Sequence, residues 1–98
     1  MKQLMLEITN PVGLHARPAA LFVKCTKTSQ SIIRVRNGTK SGKWVDGKSI
    51  LGVLTLGVQK GHTIEITFEG PDEEKSAEAL KQLVDSDFSE PDQDTNPV

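Results

Sequence analysis

Asn10-Pro11-Val12-Gly13-Leu14-His15-Ala16-Arg17-Pro18-Ala19-Ala20 joins two kinds of sequence pattern, and the rest of the chain can be placed from that joint. Upstream, residues 2–9 alternate. Leu4, Leu6 and Ile8 point one way and Gln3, Met5 and Glu7 the other, which predicts a half-buried strand. Asn10-Pro11-Val12-Gly13 breaks it. Downstream, Ala19, Ala20, Val23 and Thr26/Lys27 follow helical spacing, which predicts a helix over 16–28. Pro18 fits only its first turn, where a missing N–H leaves no intrahelical bond unmade. Ser29-Gln30 ends it.

The remaining segments continue the alternation of types. Residues 31–36 predict a second strand with Ile33 and Val35 on one face. Asn37-Gly38 is a strong turn signal, and Thr39–Gly42 suits a wide loop before a short third strand at 43–45, which Asp46-Gly47 closes. Ser49 is a good N-cap for a brief helix through Gly57, although the β-branched content of this stretch also suits a strand. Residues 63–68 alternate again, with Ile64, Ile66 and Phe68 on one face. Asp72, Glu73 and Glu74 crowd the first turn of a last helix over 72–85, where the helix dipole favours them. Ala77, Leu80, Leu83 and Val84 form its apolar stripe. The order βαββαβα gives four strands with one apolar face each and three helices with one apolar stripe each. The economical arrangement is an α+β fold: a mostly antiparallel four-stranded sheet with all three helices on one face.

The 98 residues suffice for one domain. Three Phe and one Trp leave the core to aliphatic side chains. Net charge is −1, unevenly spread. Asp87, Glu90, Asp92 and Asp94 fall in a terminal stretch without Lys or Arg, so the body carries a net charge of +3. That predicts a domain over 1–86 and an acidic, disordered tail over 87–98. A mildly basic body suits an acidic partner or an anionic ligand, and lacks the clustered stripe that nucleic acid requires. Cys25 is the only cysteine. It reads as a small packing residue in a chain from a reducing compartment. No charged-then-apolar leader and no apolar run near ~18 residues is present, which predicts a cytoplasmic chain with no membrane partner.

His15 falls where the strand-loop ends and the helix begins. A helix start leaves backbone N–H groups without intrahelical partners, and with the dipole these make an anion site. Arg17, two residues on, can grip phosphate oxygens in a fork. A neutral imidazole there keeps a nucleophilic nitrogen, and the positive surroundings stabilise a dianion once it is attached. Each dipole interaction contributes only ~0.3–1 kcal/mol when exposed, which suits reversible transfer. Read by spacing alone, His15 is equally a turn residue or an imperfect cap, with Arg17 a solvated side chain. His62 stands apart at a predicted strand start, so no metal cluster is indicated, and no cofactor loop is present.

Gly13-Leu14-His15-Ala16-Arg17-Pro18-Ala19 resembles the active-site signature of HPr, the histidine-containing phosphocarrier of the bacterial phosphoenolpyruvate-dependent sugar phosphotransferase system. Lys48-Ser49-Ile50-Leu51-Gly52-Val53 resembles the family's second signature, and the likeness runs over roughly residues 2–85. The resemblance implies the open-faced β-sandwich and a carrier that is not an independent enzyme. It implies that His15, through Nδ1, takes phosphate from enzyme I and passes it to the A domain of a sugar-specific enzyme II, assisted by Arg17. Ser49 matches the serine modified by a kinase/phosphorylase in many relatives; its plain alternative is an N-cap. A regulatory relative signalling carbon or nitrogen status through His15 or Ser49 is the alternative function.

Leu51 and Leu54, if exposed on the short helix, form an apolar docking patch with Arg17, Lys24 and Lys27 as a basic rim; otherwise the two leucines are core. The chain is expected to be a monomer. The 38–47 stretch looks slightly long for the family, and Trp44 is an unusual occupant.

Overall fold

A computed structural model describes residues 1–89. Its elements are β1 (Lys2–Glu7), α1 (Ala16–Thr26), β2 (Ile32–Asn37), β3 (Val45–Asp46), α2 (Ile50–Leu54), β4 (Thr63–Glu69) and α3 (Glu73–Asp85). The strands form one sheet in the order β1-β4-β2-β3, and all three pairings are antiparallel.

Register explains why the alternating sequence settles this way. Ile66 of β4 stands opposite Leu4 of β1 and Val35 of β2, and Val35 stands opposite Val45 of β3. One apolar row therefore crosses all four strands. Ile33, Val35, Ile64, Ile66 and Phe68 share a buried cluster with Phe22, Val53, Leu80 and Val84 of the helices. The opposite sheet face is open. Met5 and Ile32 are exposed on it, and Arg36 pairs with Glu65 across β2 and β4. Trp44 has its place here too: its ring lies 5.0 Å from the Arg36 guanidinium carbon, a cation–π contact at the sheet edge.

Several expectations shift. The third strand lies at Val45–Asp46, starting two residues later and ending one later than expected, because the loop after Asn37 is wide. Asp46-Gly47 does not close the hairpin: Asp46 pairs with Arg34, and Gly47 N–H donates to Ile33 O at 2.7 Å. Assigned strand β1 stops at Glu7, yet Ile8 still donates to His62 O at 2.8 Å and accepts from Gly61 N. Helix α1 ends at Thr26, whose hydroxyl donates to Gly47 O at 2.7 Å and ties the helix to the entry of α2. Its buried stripe holds Ala19, Phe22, Val23 and Thr26. Ala20 and Lys27, counted on that stripe, face solvent, because the larger Phe22 takes the core.

Phe88 departs from the reading of 87–98 as a disordered tail. It is 5% exposed and belongs to the core cluster. Its N–H donates to Leu83 O at 2.9 Å. Residues 90–98, the remainder of that expected tail, lie outside the described residues. Among the described residues no helix is long and apolar enough to cross a membrane.

Candidate functional site

The turn before α1 is clamped from below. Leu14 is buried at 1% exposure, and its N–H donates to Val58 O at 3.0 Å. Buried Asn10 donates from Nδ2 to Gly13 O at 2.9 Å, while Gly13 N–H returns a bond to Asn10 O. Gly13 itself has φ +66, and a Cβ there meets Val58 O at 2.2 Å. Only glycine fits both the left-handed backbone and the close approach. This clamp fixes the chain one residue before His15.

His15 is the N-cap of α1, with φ −120 and ψ 160, and its side chain makes no capping hydrogen bond. The ring is exposed. Ala16 follows with φ 48, a left-handed conformation costly for a residue with a Cβ. Helix α1 thus starts at His15, so its positive dipole end and first-turn amides fall at the same end of the helix as that residue. Arg17 lies in that first turn and is exposed, whereas Pro18 is buried. The helix holds no acidic residue in its first turn.

Helix α2 packs against α1. Ser49 caps it: Oγ accepts from Gly52 N at 3.1 Å, and Ser49 O accepts from Val53 N at 2.9 Å. The neighbouring Lys48 Nζ donates to Ser29 O at 2.8 Å. Of the two leucines, Leu51 is 73% exposed, while Leu54 is half-buried and packs on the core. Lys24 and Lys27 are exposed but stand at the far end of α1 from Arg17, about 10 and 15 Å along the axis. The structure thus brings His15 and Arg17 together at one end of α1 and splits the basic rim between both ends.

Sequence reasoning passed over Val12 and Ile50, both exposed apolar residues on the loop before His15 and on α2. Exposure of Ile50 was masked by its place in an apolar run. Cys25 is partly buried against the core, and burial pushes its thiol pKa up, as a packing residue requires. His62 is bound up locally: its Nδ1 accepts from Gln59 N at 3.1 Å and lies 3.1 Å from Asn37 Nδ2. Among the described residues, no group of three or more His, Cys, Asp or Glu is placed to hold a metal.

Known proteins share this fold. The family model for the phosphotransferase-system HPr component phosphorylation site matches residues 2–86. A crystal structure of HPr-C-His from Thermoanaerobacter tengcongensis is 46% identical, covering 92% of this chain and 98% of that one, with a TM-score of 0.85. The phosphocarrier protein HPr from Bacillus anthracis is 38% identical over 85% of this chain and 95% of that one, with a TM-score of 0.78. The multiphosphoryl transfer protein of Vibrio cholerae is 41% identical over 83 residues, 85% of this chain but 21% of that protein. The chain therefore spans about a fifth of the length of that curated relative. With its antiparallel open sheet and its histidine-headed helix, the chain belongs to the HPr family of phosphotransferase-system phosphocarriers.

Proposed function

We propose that the chain accepts a phosphoryl group on His15 from phosphorylated enzyme I and delivers it to the A domain of a sugar-specific enzyme II. The observation that carries this reading is the ring of His15, exposed at the N-cap of α1 and uncommitted to capping. In the transfer the donor's N–P bond breaks as the lone pair of the imidazole Nδ1 forms a new one. The ring's other N–H is retained, so no proton need leave. The Arg17 guanidinium, charged at any physiological pH, faces the incoming oxygens, and the helix N-terminus supports the added charge. Neither is strong enough to trap the phosphoryl group, so it can move on.

Docking uses the exposed apolar side chains of Leu51, Ile50 and Val12 with Arg17, Lys24 and Lys27 as cations around them. The partners present acidic surfaces. The protein works as a cytoplasmic monomer, a carrier rather than an independent enzyme, with no nucleic-acid or membrane partner. Ser49 is a second phosphate acceptor, for a serine kinase/phosphorylase. Incubation with enzyme I, Mg²⁺ and phosphoenolpyruvate should add one acid-labile phosphate that a IIA domain removes. Equal uptake by His15→Ala would refute the assignment.

A further inference from the structure

The peptide linking Val58 to Gln59 is held at both ends. Its carbonyl, Val58 O, accepts from the N–H of Leu14, the residue before His15, at 3.0 Å. Its N–H, on Gln59, donates to His62 Nδ1 at 3.1 Å. A peptide unit is planar, so a partner that orients the N–H orients the carbonyl as well. A backbone N–H can only donate, so Nδ1 presents its lone pair and the ring hydrogen of this tautomer sits on Nε2. The residue carrying the ring is itself fixed. His62 N donates to Gln59 O at 3.0 Å, and His62 O accepts from Ile8 N at 2.8 Å. Buried Asn37 places its Nδ2 3.1 Å from the same Nδ1. Lys40 N donates to Asn37 Oδ1 at 3.2 Å and Asn37 Nδ2 donates to Leu56 O at 3.3 Å, which sets the orientation of that amide. Gly13 lies close against the held peptide: a Cβ there would meet Val58 O at 2.2 Å and Gln59 Cα at 2.8 Å.

We infer that His62 is a positioning residue for His15: its Nδ1 holds the Val58–Gln59 peptide so that the carbonyl meets the Leu14 amide, and so sets where the turn presents the His15 ring. The path is contiguous, from imidazole to Gln59 N–H, through one planar unit to Val58 O, and on to the neighbour of the phosphoryl acceptor. Without the acceptor on residue 62 the Gln59 N–H turns to water. The peptide plane is then free to tilt, and the Leu14 bond weakens with it. His62 acts through the turn rather than on the phosphoryl group. Its bearing on transfer rests on the carrier reading of His15 proposed above; its bearing on the turn does not.

The test compares the parent with two variants. His62→Phe keeps a planar ring and removes the acceptor. His62→Asn restores it, because Oδ1 stands off Cγ where Nδ1 did. The free chains are read first, by NMR hydrogen exchange. Relative to the β4 amides, which report global opening, the Leu14 amide should exchange about fivefold faster in His62→Phe and at the parent rate in His62→Asn. Uptake from enzyme I and phosphoenolpyruvate is then titrated at a temperature where urea unfolding shows every chain folded. A misplacement of 1 Å can cost ~10²-fold, so the loosened turn of His62→Phe should lower the maximal rate about three- to tenfold. The enzyme I concentration for half-maximal uptake should not change, and His62→Asn should recover the rate. A role in stability alone would move neither quantity among folded molecules. His62→Leu, which also lacks the acceptor, takes the place of His62→Phe if that chain does not fold. A Leu14 amide indifferent to loss of the acceptor overturns the inference. So does a maximal rate that stays at the parent value, or one that falls equally with Phe and with Asn. If no chain takes up phosphate, the parent included, the carrier reading fails, and the Leu14 amide still decides whether His62 sets the turn.

Discussion

The Ser31 hydroxyl, just ahead of β2, donates to Oδ1 of Asp72, 41 residues away at the N-cap of α3. Asp72 does not use its side chain to cap its own helix. It accepts instead from Ser31, from Gln30 N–H at 2.9 Å and from Ser29 Oγ at 3.0 Å. Ser29 in turn accepts from Ser76 Oγ and Ser31 N. One carboxylate thus fastens the last helix to the segment linking α1 to β2.

Those bonds, the Ser31 hydroxyl first and the Gln30 amide second, hold the Asp72 carboxyl well below its ordinary value of 3.8. A depressed folded-state pKa stabilises the fold fully above the unfolded value and loses that contribution as pH falls through the folded one. Urea unfolding of Asp72→Asn should therefore show lower stability than the parent at pH 7. The two should converge as pH drops below about 3.8. A gap of constant size from pH 7 to pH 2 would contradict the linkage.

Gly13→Ala tests the clamp under the histidine. A Cβ at φ +66 is strained, and this one also meets Val58 O at 2.2 Å. The strain and displacement should cost about 1–3 kcal/mol, measured as a lower urea midpoint. Because the same turn positions His15, phosphoryl uptake should slow as well. A variant with parent stability would show that the loop is not held as described.

Ser49 separates capping from charge. Ser49→Ala removes the acceptor for Gly52 N and should cost about 1 kcal/mol while leaving uptake on His15 near parent level. Ser49→Asp keeps a good cap and adds an anion two residues from exposed Leu51. Its phosphorylation by enzyme I should be slower, and increasingly so as salt is lowered. Equal rates for Ser49→Asp and Ser49→Ala at low salt would place Ser49 outside the docking face.

Much of this was legible because period and punctuation agree. The even-numbered residues of β1 and β4, the Pro18 start of α1 and the Ser49 cap each act through neighbours in sequence. What escaped acts across the fold. The Ser31–Asp72 bond joins residues that no local pattern relates. Ala16 carries a left-handed φ of 48, which alanine gives no reason to expect. Phe88 reads as part of an acidic stretch until the turn at Asp87 returns it to the core. The register of β3 depends on how many residues the loop after Asn37 consumes, and a run of Gly, Thr, Lys and Ser does not fix that number. At the site, His15 and Arg17 were legible as neighbours. The split of the basic rim required the axis of α1.

Leu51 and Val53 sit two residues apart on α2 and should separate binding from folding. Leu51 is 73% exposed, whereas Val53 is wholly buried in the core cluster. A mostly exposed side chain contributes little to the fold, so Leu51→Ala should change stability by no more than about 0.5 kcal/mol. Val53→Ala opens a cavity and should cost roughly 1–3 kcal/mol. The order reverses for partner affinity. An apolar side chain left in water by the folded chain is covered when a partner docks, at about 25 cal/mol per Å² buried. Loss of Leu51 should raise the enzyme I concentration for half-maximal uptake about five- to thirtyfold, which corresponds to about 1–2 kcal/mol. Val53→Ala should leave that concentration near the parent value at temperatures where it remains folded. Titration of enzyme I against each variant, alongside urea unfolding, reads both quantities. If Leu51→Ala lowers stability and spares uptake, α2 is structural and the docking face lies elsewhere on the helical side.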